Sequence, residues 1–378
     1  MRPPLLRCWL SCVLFGGSIA CADGSTGRAD NAGSGRVHPV ERYVASDMPP
    51  SFSTALDGAN TTLPFRLGTQ AIAASPTGGA GAESPIGRIA RGALLASGDI
   101  VVLDNGAMVA RLYGPDGTPN ALNGKPGTGP GEFRRPMALT EAADGGLLIS
   151  DADRVVQRYS PAGPGYRFLG DIRLPVDAED MCRLGAHLVV HGLTAADPRL
   201  LRVYRDSGDQ VGTFGEYYRS PSPLVNEVLG KGRILCDAPR ELVVFAPNSA
   251  VSEARAFGAD GTPVWRVLFL GSRADRIEET EGGYSWKFST NGRHQLLSLV
   301  RLPDRGILIQ WTFLTREEAV ARASYGTILS FLLDPATGEP IGPDTTLPPI
   351  LAATDSTVLI GYEDPEPRFE VRALLPRR

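Results

Sequence analysis

Six short apolar segments, each rich in β-branched residues, recur along this chain of 378 residues. They occupy positions 100–102, 147–149, 188–190, 242–244, 307–309 and 358–360, and their central residues lie between 41 and 65 positions apart. A period of about 40–50 residues, lengthened in places by loop insertions, is typical of the blades of a β-propeller. We therefore expect an all-β chain in which each segment, called here an anchor triplet, forms one strand of a blade.

A second repeated pattern follows the anchor triplets and marks the turn between two further strands. After each of the first four triplets an aromatic residue is followed by glycine four positions later. The four pairs are Tyr113/Gly117, Tyr159/Gly163, Tyr204/Gly208 and Phe257/Gly261. Because the intervening residues are turn formers, each pair predicts a hairpin of two strands. The 44 Gly and 31 Pro of the chain suit many short strands, and its 42% hydrophobic residues suffice for a core.

The sixth repeat lacks a C-terminal outer strand, because the chain ends soon after residues 371–374. A matching segment occurs near the other end, where FRLG at 65–68 resembles RFLG at 167–170. We predict that this N-terminal strand completes the C-terminal blade, which removes the exposed edges of an open ring. The predicted fold is thus a six-bladed β-propeller over residues 61–376, with the ring closed by an N-terminal strand.

Residues 1–21 resemble a signal peptide, with two arginines, an apolar stretch and small residues at the end. The segment SIAC at 18–21 is similar to a bacterial lipobox, in which Cys21 is lipidated, although that pattern prefers leucine where Ser18 stands. Ordinary cleavage after Ala22, at an A-x-A site, is the alternative. We expect an exported protein, either a periplasmic or outer-membrane-attached lipoprotein or a soluble secreted protein.

Residues 22–60 are rich in small and polar residues and show no periodic apolar spacing. This composition predicts a flexible tether between the signal and the propeller. The formal net charge of −4 gives no electrostatic argument for binding nucleic acid. We expect contact with a membrane only through an N-terminal lipid anchor.

Only two of the five cysteines, Cys182 and Cys236, lie outside the signal region. Each precedes the first residue of an anchor triplet by six positions, so both hold the same place in consecutive blades. The strand before the triplet lines the axis of a propeller, where neighbouring blades converge. In an exported protein this placement predicts a disulfide. A buried pair of free thiols is the alternative, because the two Cα atoms must approach within about 7 Å.

One loop and the blade after it carry a more specific pattern. GTGPGEFRRP at 127–136 is followed by DGGLLISD at 144–151 and RV at 154–155. This order resembles an NHL repeat, and over residues 124–170 the chain is similar to the NHL-like six-bladed propellers of bacterial secreted and lipid-anchored proteins. The residues of this structural motif are Gly129, Pro130, Gly131, Glu132, Phe133 and Pro136. The glycines permit backbone angles that other residues avoid, Phe133 is expected to wedge between blades, and Glu132 to accept bonds from turn amides.

The chemistry-bearing residues do not form a recognisable catalytic or metal-binding set. Asp104 and Asp151 follow their triplets by two positions, but the other blades have no carboxylate there. Capping of the adjacent turn is therefore favoured over a ring of cation ligands. His187 and His191 flank a strand, where four residues span roughly 13 Å, too far for one metal ion. We expect no cofactor and no metal.

Two segments inserted around the fifth triplet are candidates for contacts with other molecules. Tyr284 and Trp286 precede it, and their rings suit stacking on a sugar or a peptide. Burial beneath a surface loop is the alternative for these two residues. Thr315 and Glu318 have the spacing of a capping box and predict a short helix after the triplet.

The sequence favours a binding or scaffold module of the cell envelope, whose partner would be an envelope protein or a glycan. This interpretation depends on the propeller pattern together with the lack of a catalytic set. The alternative is a propeller enzyme, similar to the lactonases or lyases of this architecture, with its site at the mouth of the central channel.

Overall fold

A computed structural model shows how the six repeats fold. It describes residues 36–38, 48–75, 85–120, 122, 124–192, 199–216, 223–248, 251–273, 276–280, 283–287, 292–321, 323, 325–363 and 366–377. These residues belong to one unit that spans Arg36–Arg378. The described part of the chain contains no helix of the length and hydropathy that crossing a membrane requires. Cys21 and the predicted signal lie outside the described residues.

Six sheets, each with four antiparallel strands, form the blades of a β-propeller, and blade 4 carries a fifth strand at its edge. This architecture confirms the predicted fold class. From the innermost strand outwards, blade 1 consists of Ile89–Leu94, Ile100–Asp104, Val109–Tyr113 and Pro119–Asn120. Blade 2 consists of Ala138–Glu141, Leu147–Asp151, Val155–Ala162 and Gly165–Arg173. Blade 3 consists of Asp180–Leu184, His187–His191, Leu201–Tyr204 and Gln210–Phe214.

The later blades follow the same order. Blade 4 consists of Gly232–Asp237, Leu242–Pro247, Glu253–Gly258 and Pro263–Leu270. Blade 5 consists of Arg293–Leu302, Gly306–Leu314, Thr327–Leu333 and Pro340–Asp344. Blade 6 consists of Ile350–Ala353, Thr357–Tyr362, Arg368–Pro376 and the N-terminal strand Phe65–Ala74. Every anchor triplet lies in the second strand of its blade, where both faces of the strand are covered.

Two smaller sheets, an added edge strand and short helices lie between or beside the blades of the described chain. Lys125–Pro126 pairs with Glu132–Phe133, and Arg36–His38 pairs with Arg276–Thr280, which also pairs with Gly283–Lys287. Phe52–Ala55 adds to the outer edge of blade 4. The helices are α1 (Pro223–Gly230) and α2 (Arg316–Val320), together with a 3₁₀ turn at Ala238–Arg240.

The N-terminal strand Phe65–Ala74 lies antiparallel to the third strand of blade 6. Phe65 stands opposite Pro376, and Leu67 stands opposite Leu374. The buried side chain of Phe65 packs into the apolar cluster between blades 5 and 6. The outer strand of blade 6 therefore comes from a segment almost the whole propeller away in sequence.

The hydrophobic core is divided into six clusters, each shared by two consecutive blades. The cluster between blades 6 and 1 contains Ile100 and Tyr113 from blade 1 and Leu359 and Phe369 from blade 6. The rings of Tyr113 and Phe369 meet edge to face with centroids 4.8 Å apart. Because no cluster spans the ring, stability depends on each blade packing against both of its neighbours.

The predicted boundary between a tether at 22–60 and the propeller at 61–376 is corrected for residues 48–60. Phe52–Ala55 pairs in parallel with the outer strand of blade 4, and the amide of Ser51 donates to the carbonyl of Arg266 at 2.8 Å. Leu56 is fully buried between blades 4 and 5. The segment joins the propeller because Leu56 can be buried there and because the outer strand of blade 4 offers an unpaired edge to Phe52–Ala55.

The NHL-like segment forms a tight loop between blades 1 and 2. Gly131 has a φ of 74°, in the left-handed region that favours glycine. The amide of Gly129 donates to Oε2 of Glu132 at 2.8 Å, and Nζ of Lys125 lies 3.0 Å from its other oxygen. These bonds lower the pKa of Glu132 below its ordinary value. Phe133 is fully buried between the blades, so these residues shape the loop and the blade interface.

The capping box at the start of α2 is confirmed. The hydroxyl of Thr315 accepts from the amide of Glu318 at 3.2 Å, and the amide of Thr315 donates to Oε2 of Glu318 at 2.7 Å. Reciprocal capping satisfies two amides that a short helix would otherwise leave unpaired.

Candidate functional site

The two axial faces of the propeller differ in the length of their connections. In an antiparallel blade, the turns that join the first strand to the second and the third to the fourth lie on one face. The connections from the second strand to the third, and from the fourth strand to the next blade, lie on the opposite face. The first set is short, and 334–339 is its longest turn. In sequence, the longest connections of the second set run over 121–137, 215–231, 271–292 and 315–326, and their described residues include both α helices. We call the face formed by this second set the loop-rich face.

The innermost strands begin at the loop-rich face, and four of them carry a charged residue within their first three positions. Arg293 of blade 5 lies 15 positions before the centre of its triplet, further out than the other three. Arg91, Asp180 and Arg233 lie on the inner strands of blades 1, 3 and 4. We call these three residues the axial mouth. Nε of Arg91 lies 3.8 Å from Oδ1 of Asp180. Since blade 2 lies between blades 1 and 3, this contact passes across the central channel.

The strand register explains how Arg91 reaches Asp180. Arg91, Ala138 and Asp180 hold the same level on the inner strands of blades 1, 2 and 3. Ala138, the residue in between, is fully buried and carries only a methyl group. The long side chain of Arg91 can therefore extend past blade 2 towards the carboxylate.

Backbone amides hold Asp180 in place. Its Oδ2 accepts from the amide of Ile234 at 3.0 Å, and its Oδ1 accepts from the amide of Met181 at 3.1 Å. Because Ile234 belongs to blade 4, the carboxylate also ties blade 3 to its neighbour. Both carboxylate oxygens of Asp180 thus already accept a hydrogen bond from the backbone, independently of the two arginines.

The predicted disulfide is confirmed and lies just inside the axial mouth. Sγ of Cys182 is bonded to Sγ of Cys236, and the two Cα atoms are 5.6 Å apart. The cysteines stand opposite Val189 and Val243, the central residues of their anchor triplets. Their matching positions in consecutive blades therefore bring the two sulfur atoms together at the channel.

The axial mouth contains more positive than negative charge. Nε of Arg91 is buried without a hydrogen-bond partner, while its Nη1 donates to the carbonyl of Ala90 at 3.0 Å. The guanidinium of Arg233 makes no hydrogen bond or ion pair with another residue that the structure describes. Burial, and secondarily the positive charge of Arg91, lowers the pKa of Arg233, although Asp180 opposes this effect. Since guanidinium groups stay protonated, two cations share one carboxylate.

A buried histidine lies beside the mouth. His191 stands opposite Asp180 in the strand register and is fully buried. Its Nδ1 lies 3.0 Å from the carbonyl oxygen of Leu200, and its Nε2 has no partner among the described residues. Burial lowers the pKa of His191, whereas Glu179 acts in the opposite direction. The neutral ring, covered by Phe245 at 5.1 Å, has no access to solvent as a general base.

The carboxylates considered as cation ligands instead bind backbone amides. Asp104 accepts from the amides of Gly87, Arg88, Gly106 and Ala107 at 2.9 to 3.0 Å. Although burial raises the pKa of Asp104, these bonds lower it overall. In the same way, Asp151 accepts from the amides of Arg134 and Arg135, which precede the first strand of blade 2. Both acids therefore hold loops against their own blades.

We expect Asp104→Asn to lower the free energy of unfolding by about 2 kcal/mol at neutral pH, because hydrogen bonds to a charged acceptor are lost. A lowered carboxyl pKa stabilises the fold above the unfolded pKa, and this contribution disappears as pH falls through the folded pKa. The difference from wild type should therefore shrink below about pH 4. Urea unfolding at pH 7 and pH 3 measures this, with the exposed Asp355→Asn as control. An equal difference at both pH values would contradict the role of the carboxylate.

The predicted ligand-contact residues lie elsewhere on the loop-rich connections. Tyr284 and Trp286 are on the strand Gly283–Lys287, where Tyr284 stands opposite Glu279 and Trp286 opposite Ile277. Two residues apart on a strand, they share one face of it. Their side-chain surroundings lie outside the described part of the structure. Within that part, no group of three or more His, Cys, Asp or Glu side chains is arranged to hold a metal ion.

Sequence reasoning did not single out Arg91, Asp180 or Arg233. No short motif surrounds any of them, and each blade has different residues around its mouth position. Their positions relative to the anchor triplets could have revealed them. All three residues lie nine or ten positions before the centre of a triplet, on strands that were expected to be apolar. Aligning the six inner strands by their triplets would have shown three charges at one end of the channel.

Comparison with known proteins supports the architecture. No protein-family model matches the chain, and no curated protein matches its sequence. A putative exported protein from Bacteroides fragilis has a similar structure, with a TM-score of 0.55 and 11% sequence identity over 86% of this chain and 99% of its own. A member of the duf4221 family from Bacteroides vulgatus has a TM-score of 0.53 and 7% identity, covering 83% and 99% of the two chains. At these identities the similarity concerns the fold alone.

Proposed function

We propose that this protein is an exported binding module that takes its ligand on the loop-rich face, over the axial mouth. The observation that carries the proposal is the asymmetry of the two faces. The long connections, with helices α1 and α2, lie on the same face as Arg91, Asp180 and Arg233. Binding residues concentrate on loops that a rigid scaffold positions, and the tight turns of the opposite face offer few such residues.

Export is supported by the signal-like residues 1–21 and by the disulfide, since such bonds persist in oxidising compartments. Lipidation of Cys21 would place the propeller at a membrane surface, and cleavage after Ala22 would release it as a soluble protein. The similarity of residues 124–170 to NHL repeats of secreted and lipid-anchored propellers favours a place in the cell envelope. An envelope protein or a glycan is the proposed partner.

A binding role is favoured over the alternative of a lactonase- or lyase-like enzyme. In the axial mouth, the carboxylate of Asp180 already accepts two backbone amides, and His191 is buried and neutral. Acid–base catalysis requires a group that reaches the substrate and exchanges protons near the working pH. The described residues of the mouth instead provide fixed charges, which suit recognition.

Site-specific photo-crosslinking of the full chain in an envelope fraction tests which face binds. A crosslinking amino acid replaces the exposed Arg88 or Arg135 on the loop-rich face, or the exposed Pro115 or Ala259 on the opposite face. We expect adducts from the first two positions and none from the second two. Equal adducts from both faces, or adducts from the opposite face alone, would contradict the proposed function.

A further inference from the structure

The arginines of the axial mouth have unused hydrogen-bonding capacity. Guanidinium presents five N–H donors in a planar fork that matches two oxygens of a carboxylate or phosphate. Nε of Arg91 is buried and unpaired, and the guanidinium of the half-buried Arg233 has no hydrogen-bond or ion-pair partner among the described residues. An arginine that serves structure alone normally has its buried donors satisfied, because a buried unpaired donor is costly, and Nε of Arg91 departs from this rule.

Asp180 does not satisfy these donors. Its oxygens accept the amides of Ile234 and Met181, and the 3.8 Å separation from Nε of Arg91 is too long for a hydrogen bond. The carboxylate thus fixes the position of the Arg91 side chain by charge without neutralising both arginines. Among the three residues of the axial mouth, one net positive charge remains.

From this arrangement we propose that the axial mouth binds an oxyanion, a carboxylate or phosphate group carried by the ligand, between Arg91 and Arg233. The inference depends on the proposed function and adds the chemical class of the group recognised. Three blades contribute to the site, so the anion would lie on the axis, where the loop-rich face converges. Oxygens of the anion would accept from Arg91 and Arg233 and supply the missing negative charge.

The same charges oppose a cation at this position. A divalent ion at Asp180 would lie against two guanidinium groups, which repel it at short range. The disulfide limits how deep a ligand can reach. Asp180 and Cys182 are two residues apart on one strand and face the same side, so the sulfur atoms lie roughly 7 Å further in. The bound group is therefore expected to stay at the entrance.

Titration of the purified full chain with inorganic phosphate, and separately with sodium acetate, at constant ionic strength tests the inference. The Nε–Hε resonances of the arginines in an NMR spectrum report the contact directly. We expect saturable shifts of two such resonances, which disappear one at a time in Arg91→Gln and Arg233→Gln. Each substitution should weaken affinity roughly tenfold or more, because a charge-assisted bond is lost. If only one of the two anions gives saturable shifts, that anion identifies the class of oxyanion that the site prefers.

The control variant is Arg167→Gln, which removes an exposed arginine from the outer strand of blade 2 and changes the net charge equally. It should leave the titration unchanged. The inference is wrong if the wild-type protein shows no saturable shift with either anion, a measurement that needs no variant to fold. It is also wrong if Arg167→Gln weakens binding as much as the mouth variants do.

Failure of the inference can be told apart from failure of the proposed function. The double variant Arg91→Gln/Arg233→Gln is tested with the crosslinker at Arg88. If adducts persist at wild-type yield, the loop-rich face binds its partner without an anion, and only the inference is wrong. If adducts are lost together with anion binding, both proposals are supported.

Discussion

Deletion of residues 61–74 is expected to abolish cooperative unfolding of the propeller. The deletion removes the outer strand of blade 6 and leaves Arg368–Pro376 as an unpaired edge. It also removes Leu63 and Phe65, both fully buried between blades 5 and 6. Losing each large buried side chain costs about 2–5 kcal/mol. Their sum approaches the whole stability of a typical domain, about 5–15 kcal/mol.

Urea unfolding followed by tryptophan fluorescence measures this effect, because Trp265 and Trp311 are both buried between blades 4 and 5. A deletion of equal length at 22–35, within the predicted tether, serves as the matched control. We expect a normal transition in the control and no cooperative transition after deletion of 61–74. A truncated chain that still unfolds in one sharp transition would show that the N-terminal strand is dispensable.

Loss of the disulfide is expected to lower the free energy of unfolding by about 4 kcal/mol. The bond joins residues 54 positions apart, and in the chain-entropy model such a crosslink restricts the unfolded state by this amount. The cysteines link the inner strands of blades 3 and 4, so reduction also removes a covalent tie next to the axial mouth.

Chemical unfolding of wild type and of Cys182→Ala/Cys236→Ala, each with and without reductant, measures the contribution. The oxidised wild type should have the highest midpoint, and the variant should not respond to reductant. If reductant leaves the wild-type midpoint unchanged although free thiols are detected, the disulfide does not contribute to stability as proposed.

The parts of the fold that could be predicted are those with a repeated local signal. The anchor triplets mark the second strand of every blade because that strand is buried on both faces and must be apolar throughout. The equal offset of Cys182 and Cys236 from their triplets placed them side by side. The segment at 65–68 carried enough likeness to 167–170 to assign it to an outer strand.

The parts that could not be predicted depend on contacts between distant segments. Phe52–Ala55 is a four-residue edge strand whose sequence, FSTA, does not alternate between apolar and polar residues. Its partner strand lies more than 200 positions away. A short strand of this kind has no periodic pattern to distinguish it from a linker. The axial mouth was missed for a related reason, since Arg91 and Asp180 meet only because blades 1 and 3 share one channel.

The most direct test of this account is the yield of photo-crosslinked adduct from the loop-rich face relative to that from the opposite face. Crosslinkers at Arg88 and Arg135 report the first, and crosslinkers at Pro115 and Ala259 report the second. We predict adducts from the loop-rich face alone, reduced when Arg91 and Arg233 are both replaced by glutamine. Equal yields from the two faces would contradict the claim that the protein binds its partner over the axial mouth.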